Sequence, residues 1–283
     1  MSRTRAWLAL MATGTLAIGV GAVPSATASA PTSAHAPGVV ISDIKLRVPG
    51  QKRRVSAYVV KPAGRLARHS QAGVLFLHWL GDPHNDRTEY LGEAVGLAEQ
   101  GVVSVLPQGY FPWVPSPDGS SHDVTLVKDQ LHAFHRALDA LAGMRAVDPK
   151  RIGLVGHDYG AMYGAVLADR DHRVSTLVLE TPDSMWGDWF ATYWLQLDPG
   201  PARDAYYAMF HGLDPIDHTS RLGAHVLFQW AGDDVYIPSQ VRDDFAAASP
   251  DAKVELFDGA DHQLTDAARV KRDAFLAHQL RLR

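Results

Sequence analysis

The sequence predicts an α/β protein with a mostly parallel sheet and helices on both faces, and three observations predict it. From Val74 onward, short apolar runs alternate with helical stretches. One run ends in Gly156-His157-Asp158-Tyr159-Gly160 and passes directly into a helix of small residues. Two later runs end just before an acidic pair and an Asp-His dipeptide. Strands separated by helices require crossover connections, and those favour a parallel sheet covered on both sides.

The elements follow in order. Residues 1–28 read as an export signal: Arg3 and Arg5 give a positive start, an apolar run extends from Ala6 to about Val23, and Ala26 and Ala28 offer a small-residue cleavage point. An uncleaved anchor is the alternative, for a run close to the lower length of a membrane span. Residues 29–38 read as a flexible leader without chemistry, and 39–283 as one domain. VVISDIKLRV and RRVSAYVV, joined by PGQK, predict an edge hairpin. VLFLHW, VVSVLP, RIGLVG, TLVLE, HVLFQWAG and KVELFDG predict the remaining strands. Between and after them fall helices at about Leu91–Glu99, Val124–Leu141, Gly160–Ala168 and Ser239–Ala247, with a last one running toward Leu280. The stretch from Pro182 to about Leu222 breaks the alternation and carries Trp186, Trp189, Phe190, Tyr193, Trp194, Tyr206, Tyr207 and Phe210, which predicts a short aromatic lid.

Composition narrows the function. A chain of 283 residues, 46% hydrophobic, can bury one large core. A net charge of -4 without a Lys/Arg stripe argues against nucleic acid and leaves small-molecule substrates. The absence of cysteine excludes disulfides, a thiol nucleophile, thiolate metal sites and a lipid-modified cysteine. His132 and His135 share a helix but lack the HExxH pattern, so an exposed helix face explains them and no metal is expected. No phosphate-cradling loop is present and no cofactor is implied. The reading is therefore of a secreted protein without membrane contact after signal cleavage, its oligomeric state unspecified.

Chemistry concentrates at Asp158. A strand that turns tightly into a helix lifts one side chain above the sheet, and glycines on both sides permit the strained turn and the close helix. Asp is also a favoured helix N-cap, so the motif alone is ambiguous. Asp233-Asp234 and Asp261-His262, each just past a predicted strand, add an acid and a base in that order.

With these residues in hand, the sequence resembles the α/β-hydrolase superfamily, whose chain order is nucleophile, acid, histidine. The Gly-His-Asp-aromatic-Gly elbow is similar to that of epoxide hydrolases and haloalkane dehalogenases. The VDPKRIGLVG approach, the HGLDPIDHTSRL segment and the short lid are similar to dienelactone-hydrolase-like esterases, which carry Ser or Cys at the elbow. The resemblance implies catalytic Asp158, Asp234 and His262, with Asp234 preferred to Asp233 for its offset from Pro238. It implies an oxyanion hole from backbone N–H groups near Leu80 and at Tyr159. Trp79, Trp186, Tyr193 and Tyr206 are expected to line the substrate pocket, although the aromatics of the lid also suit simple packing.

An aspartate attacking an acyl group forms a mixed anhydride, whereas attack on a saturated carbon forms an ordinary ester. Covalent chemistry of the epoxide-hydrolase type is therefore the leading expectation, with acid from Tyr193, Tyr206 or Tyr207. Halide release would instead need N–H donors, from Trp79 with Trp186, Trp189 or Trp194. An ester or lactone hydrolase with Asp158 as general base is the alternative, and a non-catalytic binding protein is the third.

Overall fold

The computed structural model describes residues 35–36, 38–52, 54–79 and 86–282. The signal segment and most of the leader lie outside these residues, as do Leu80 and Gly81. None of the described helices is long and apolar enough to cross a membrane.

The strands are β1 (His35–Ala36), β2 (Val39–Arg47), β3 (Arg54–Pro62), β4 (Gln71–Leu77), β5 (Val102–Pro107), β6 (Val147–His157), β7 (Val174–Glu180), β8 (His225–Ala231) and β9 (Lys253–Phe257). Among the described residues they make one sheet in the order β1-β2-β3-β5-β4-β6-β7-β8-β9. The edge hairpin forms as expected, Val39 opposite Pro62 through Arg47 opposite Arg54. Beyond β3, which pairs antiparallel with β5, every neighbouring pair is parallel. The apolar runs in β4, β5 and β6 are buried because helices cover both faces, the burial typical of parallel strands.

Several boundaries differ from expectation, among them three near the leader, the second helix and the elbow strand. His35 and Ala36 pair with Val40 and Val39, so the leader ends within the sheet. The helix expected from Val124 is α2 here (Ser121–Ala142) and starts earlier, because the Ser120 hydroxyl accepts the His122 N–H at 3.1 Å. Within its first turn Asp123 accepts the N–H groups of Asp118 and Gly119 at 3.0 and 2.9 Å. The strand expected from Arg151 begins at Val147, with a register irregularity against β4.

Around the sheet stand α1 (Leu91–Glu99), α2, α3 (Tyr159–Arg170), α7 (Ser239–Ala248) and α8 (Asp266–Gln279). The lid segment holds α4 (Trp186–Trp189), a π-helical turn (Phe190–Trp194), α5 (Pro201–Ala208) and α6 (Pro215–Thr219). Helix α3 is buried from Tyr159 to Ala168, so its small residues are what allow it to sit directly on the sheet. A Cβ on Gly156 would lie 2.3 Å from the Gly160 carbonyl oxygen, and one on Gly160 would lie 2.0 Å from that of Leu77. Neither obstacle is a flexible side chain.

Gly160→Ala is therefore expected to destabilise the fold by about 3 kcal/mol or more, the upper end for overpacking. Thermal denaturation should show Tm falling by roughly 10 °C; an unchanged Tm would mean that α3 can stand farther from β4.

Candidate active site

Strand β6 delivers Asp158 to the carboxyl ends of the parallel strands, where open α/β sheets place their ligand sites. Its backbone has φ +48° and ψ -115°, a left-handed conformation that costs a non-glycine residue on the order of 1–3 kcal/mol. Neighbours hold it there. The Asp158 N–H donates to the Glu180 carbonyl on β7 at 2.9 Å, and its carbonyl accepts the Met162 N–H at 2.9 Å.

The structure brings the three expected catalytic residues together. His262, in the loop after β9, donates from Nδ1 to Asp234 Oδ2 at 2.8 Å, and its Nε2 stands 3.7 Å from Asp158 Oδ2. Asp234, in the loop after β8, is fixed by the N–H groups of Tyr236 and Ile237 at 2.8 and 3.0 Å. Asp233 is exposed, so Asp234 is the acid that meets the histidine. Asp158 is 1% exposed, and neither of its carboxylate oxygens has a hydrogen-bond partner among the described residues.

Electrostatics follow from this burial. Burial raises Asp158 above the usual 3.8, only partly offset by the nearby His262 and His157. Burial alone would lower His262, but its hydrogen bond to Asp234 and the nearby charges of Asp158 and Asp234 outweigh it and push the imidazole up to about 9. Burial also works against ionised Asp234, yet the His262 contact and the two backbone donors hold it below 3.8. At neutral pH His262 therefore keeps its proton, between the carboxyl groups of Asp158 and Asp234.

His157 and Glu89, to which the sequence motifs assign no role, belong to the site as well. His157 Nδ1 is 2.7 Å from Glu89 Oε1, and its Nε2 is 2.9 Å from the His262 carbonyl oxygen. Both partners are acceptors, so satisfying both requires a doubly protonated ring. Burial opposes that charge, but Glu89 overcomes it and raises His157. The other oxygen of Glu89 accepts the Trp79 backbone N–H at 2.6 Å. Glu89 thus ties the loop after β4 to the elbow, and His157 ties the elbow to the histidine loop. No motif marks Glu89, 68 residues from His157. Behind this pair, Arg272 of α8 bonds both Glu93 and Glu180, and the Tyr90 hydroxyl donates to Glu180 at 2.6 Å.

The expected oxyanion donors fare unequally. Leu80 lies outside the described residues, and the Trp79 N–H beside it is spent on Glu89. The Tyr159 N–H, at the first position of α3, has no partner within the helix.

The pocket residues divide as well. The Trp79 ring stands edge-on to His262 at 5.4 Å between centroids and also packs against His157, so it walls the site. Tyr236 and Trp189 complete the enclosure of His262 at 5.1 and 6.4 Å. Tyr193 packs on Trp189 and Tyr236 at the rim, its hydroxyl donating to the Tyr236 carbonyl at 2.9 Å. Two expectations need correction. Trp186 is fully buried, packs on Tyr163 and donates its indole N–H to the Leu213 carbonyl at 2.9 Å, which makes it part of the core. Tyr206 is buried against Phe210, its hydroxyl bound to Asp123 at 2.7 Å, which anchors α5 to the start of α2. Away from the site, His135 of α2 meets Asp171 at 3.1 Å.

A fourth carboxyl, Asp183, stands buried at the start of the lid and accepts the Met185 N–H at 2.9 Å. Burial, with the charges of Asp188 and Asp158, raises it to about 7. Nothing in its sequence context distinguishes it from an ordinary turn residue.

No protein-family model matches the chain, and no curated protein matches it by sequence. Solved structures do match. An acetyl xylan esterase from Paenibacillus sp. R4 aligns with a TM-score of 0.72 at 16% identity, over 86% of this chain and 85% of that one. A Klebsiella pneumoniae protein assigned as a dienelactone hydrolase aligns at 0.56 and 16%, over 85% and 98%. A cold-adapted esterase from an Arctic intertidal metagenomic library aligns at 0.61 and 16%, over 88% and 97%. At such identities likeness speaks for the fold alone, and it agrees with the strand order and the elbow: the chain has the α/β-hydrolase fold.

Proposed function

We propose that this protein is a hydrolase of a small carboxylic ester or lactone, with Asp158 as the base that activates water. The observation that carries this reading is the buried Asp158 carboxyl group, without a hydrogen-bond partner among the described residues and 3.7 Å from His262 Nε2. Burial raises its basicity, which suits proton abstraction nearer neutral pH. Water loses a proton to Asp158 as its oxygen bonds the carbonyl carbon. Positive charge on His262, held by Asp234, then steadies the oxygen on which negative charge develops. The Tyr159 N–H supplies a fixed dipole to the same end. Direct attack by Asp158 on the carbonyl would instead store energy in an anhydride. The esterases among the structural likenesses support the same substrate class.

A covalent reading has one specific observation in its favour: two carboxylate oxygens without donors are unencumbered for attack on a saturated carbon. Against it, Tyr193, Tyr206 and Tyr207, the expected acids for an epoxide oxygen, donate to Tyr236, Asp123 and Asp188. Halide release is supported less still, since the indole N–H groups of Trp186, Trp189 and Trp194 are all occupied within the protein. Export is part of the proposal too, supported by Arg3, Arg5 and the apolar run that follows.

Single turnover in water labelled with heavy oxygen separates the readings. Base catalysis puts the label in the product acid and none in the peptide containing Asp158; label in that peptide would establish the covalent route. Asp158→Asn should lower kcat by about 10²–10⁴-fold, the usual range for removing a catalytic base.

The pH profile carries a sign. Activity should rise as Asp158 ionises, at a pH above the ordinary 3.8, and fall as pH passes about 9, where His262 loses its proton. An upper limb near the ordinary histidine value of 6.5 would contradict the imidazolium. The folded state follows the same sign: the raised His262 contributes stability that is complete below about 6.5 and lost as pH rises through about 9.

A further inference from the structure

The hydroxyl of Tyr159 is a buried polar group next in the chain to Asp158. Its ring is buried, edge-on to Trp189 at 5.6 Å and stacked on Phe190 at 6.3 Å. Its oxygen accepts two indole N–H groups, from Trp189 and, at 2.8 Å, from Trp194. A phenol oxygen has two lone pairs and one proton. Both lone pairs are taken, so the O–H bond points away from both indoles, and no described residue accepts it. Tyr193, Tyr206 and Tyr207 differ in this respect, since each donates to a protein acceptor.

The position relates this donor to the reacting groups. Tyr159 follows Asp158 directly in the chain, and the Asp158 charge acts on the phenol. The Trp189 ring that binds the hydroxyl also lies over His262, at 6.4 Å and 22° between planes. One indole therefore packs against His262 and binds the phenol. Burial, then Asp158, push the phenol well above its usual value, with the two indole donors pulling the other way, so it keeps its proton at neutral pH.

We propose that Tyr159 is a further catalytic residue, whose hydroxyl donates its proton to the oxygen leaving the scissile carbon while Trp189 and Trp194 hold the resulting phenolate. The proposal rests on the hydrolase reading above. In ester cleavage, Asp158 takes one proton from water and the new C–O bond forms. The C–O bond to the alcohol then breaks with its electron pair passing to oxygen, and the phenol O–H supplies the proton. After product leaves, the Asp158 carboxylic acid returns a proton to the phenolate, so the cycle consumes one ester and one water and yields one acid and one alcohol. The two indoles stabilise the anion where it forms without giving up protons themselves.

The test is Tyr159→Phe, assayed on acetate esters whose alcohols range from p-nitrophenol to simple alkanols. A proton donor matters most where the leaving oxygen is most basic. We expect kcat to fall by about 100-fold or more for alkyl esters and by less than about threefold for the p-nitrophenyl ester, with KM little changed. Trp194→Phe, which keeps the phenol and guards against misfolding of the first variant, should show a smaller loss with the same dependence on leaving group. Equal losses across the series, or none, in either variant would overturn the proton-donor role while leaving the ester reading intact. A wild-type enzyme idle on every ester would overturn the ester reading and this inference with it.

Discussion

Asp158 sits in a left-handed backbone conformation that the surrounding chain enforces, and the rest of the site is arranged around that constraint. The turn exists because Gly156 and Gly160 allow β6 to fold straight into α3 with backbone atoms nearly touching, and because Glu180 on the next strand receives the Asp158 N–H. Small residues along α3 then let the helix lie flat on the sheet, which points its unpaired amino-terminal N–H groups toward the carboxylate region. A looser helix would move the carboxylate away from the loops that bring Asp234 and His262.

Charge balance is the second layer. Burying a carboxylate is costly unless an opposite charge accompanies it. Asp158 and Asp234 share His262, while His157 answers Glu89, so carboxylates alternate with imidazoles through the elbow. A serine would leave His262 with one carboxylate partner, whereas Asp158 adds a second and keeps the imidazole protonated as a source of positive charge. Glu89 and His157 also link the segments that follow β4, β6 and β9 through Trp79, the elbow and His262.

Much of this was legible in the sequence because it is encoded locally. Apolar runs at strand length separated by helical stretches fix the alternation, and Asp158, Asp234 and His262, each just past a run, stand out as the candidates that the fold brings together. What escaped depends on side chains meeting across long separations. Glu89 reaches His157, and Tyr159 gathers indoles from the lid, through geometry that no short motif records. The lid shows the same limit: its aromatic composition is plain, but only packing decides that Trp186 and Tyr206 serve the core while Trp189 and Tyr193 border the site. The start of α2 was missed for a smaller reason, since capping by Ser120 and Asp123 precedes the first apolar residue of its stripe.

The central claim is that His262 stands protonated between two carboxylates, so its titration is the most direct measurement. Following the His262 ring nitrogens by ¹⁵N NMR, in the unmodified protein and in Asp158→Asn, reads that charge without any substrate. The account predicts an imidazolium across neutral pH that titrates near 9, and a clear fall toward the ordinary 6.5 once the Asp158 charge is removed. An imidazole already neutral at pH 7, with the same titration in both proteins, would contradict it.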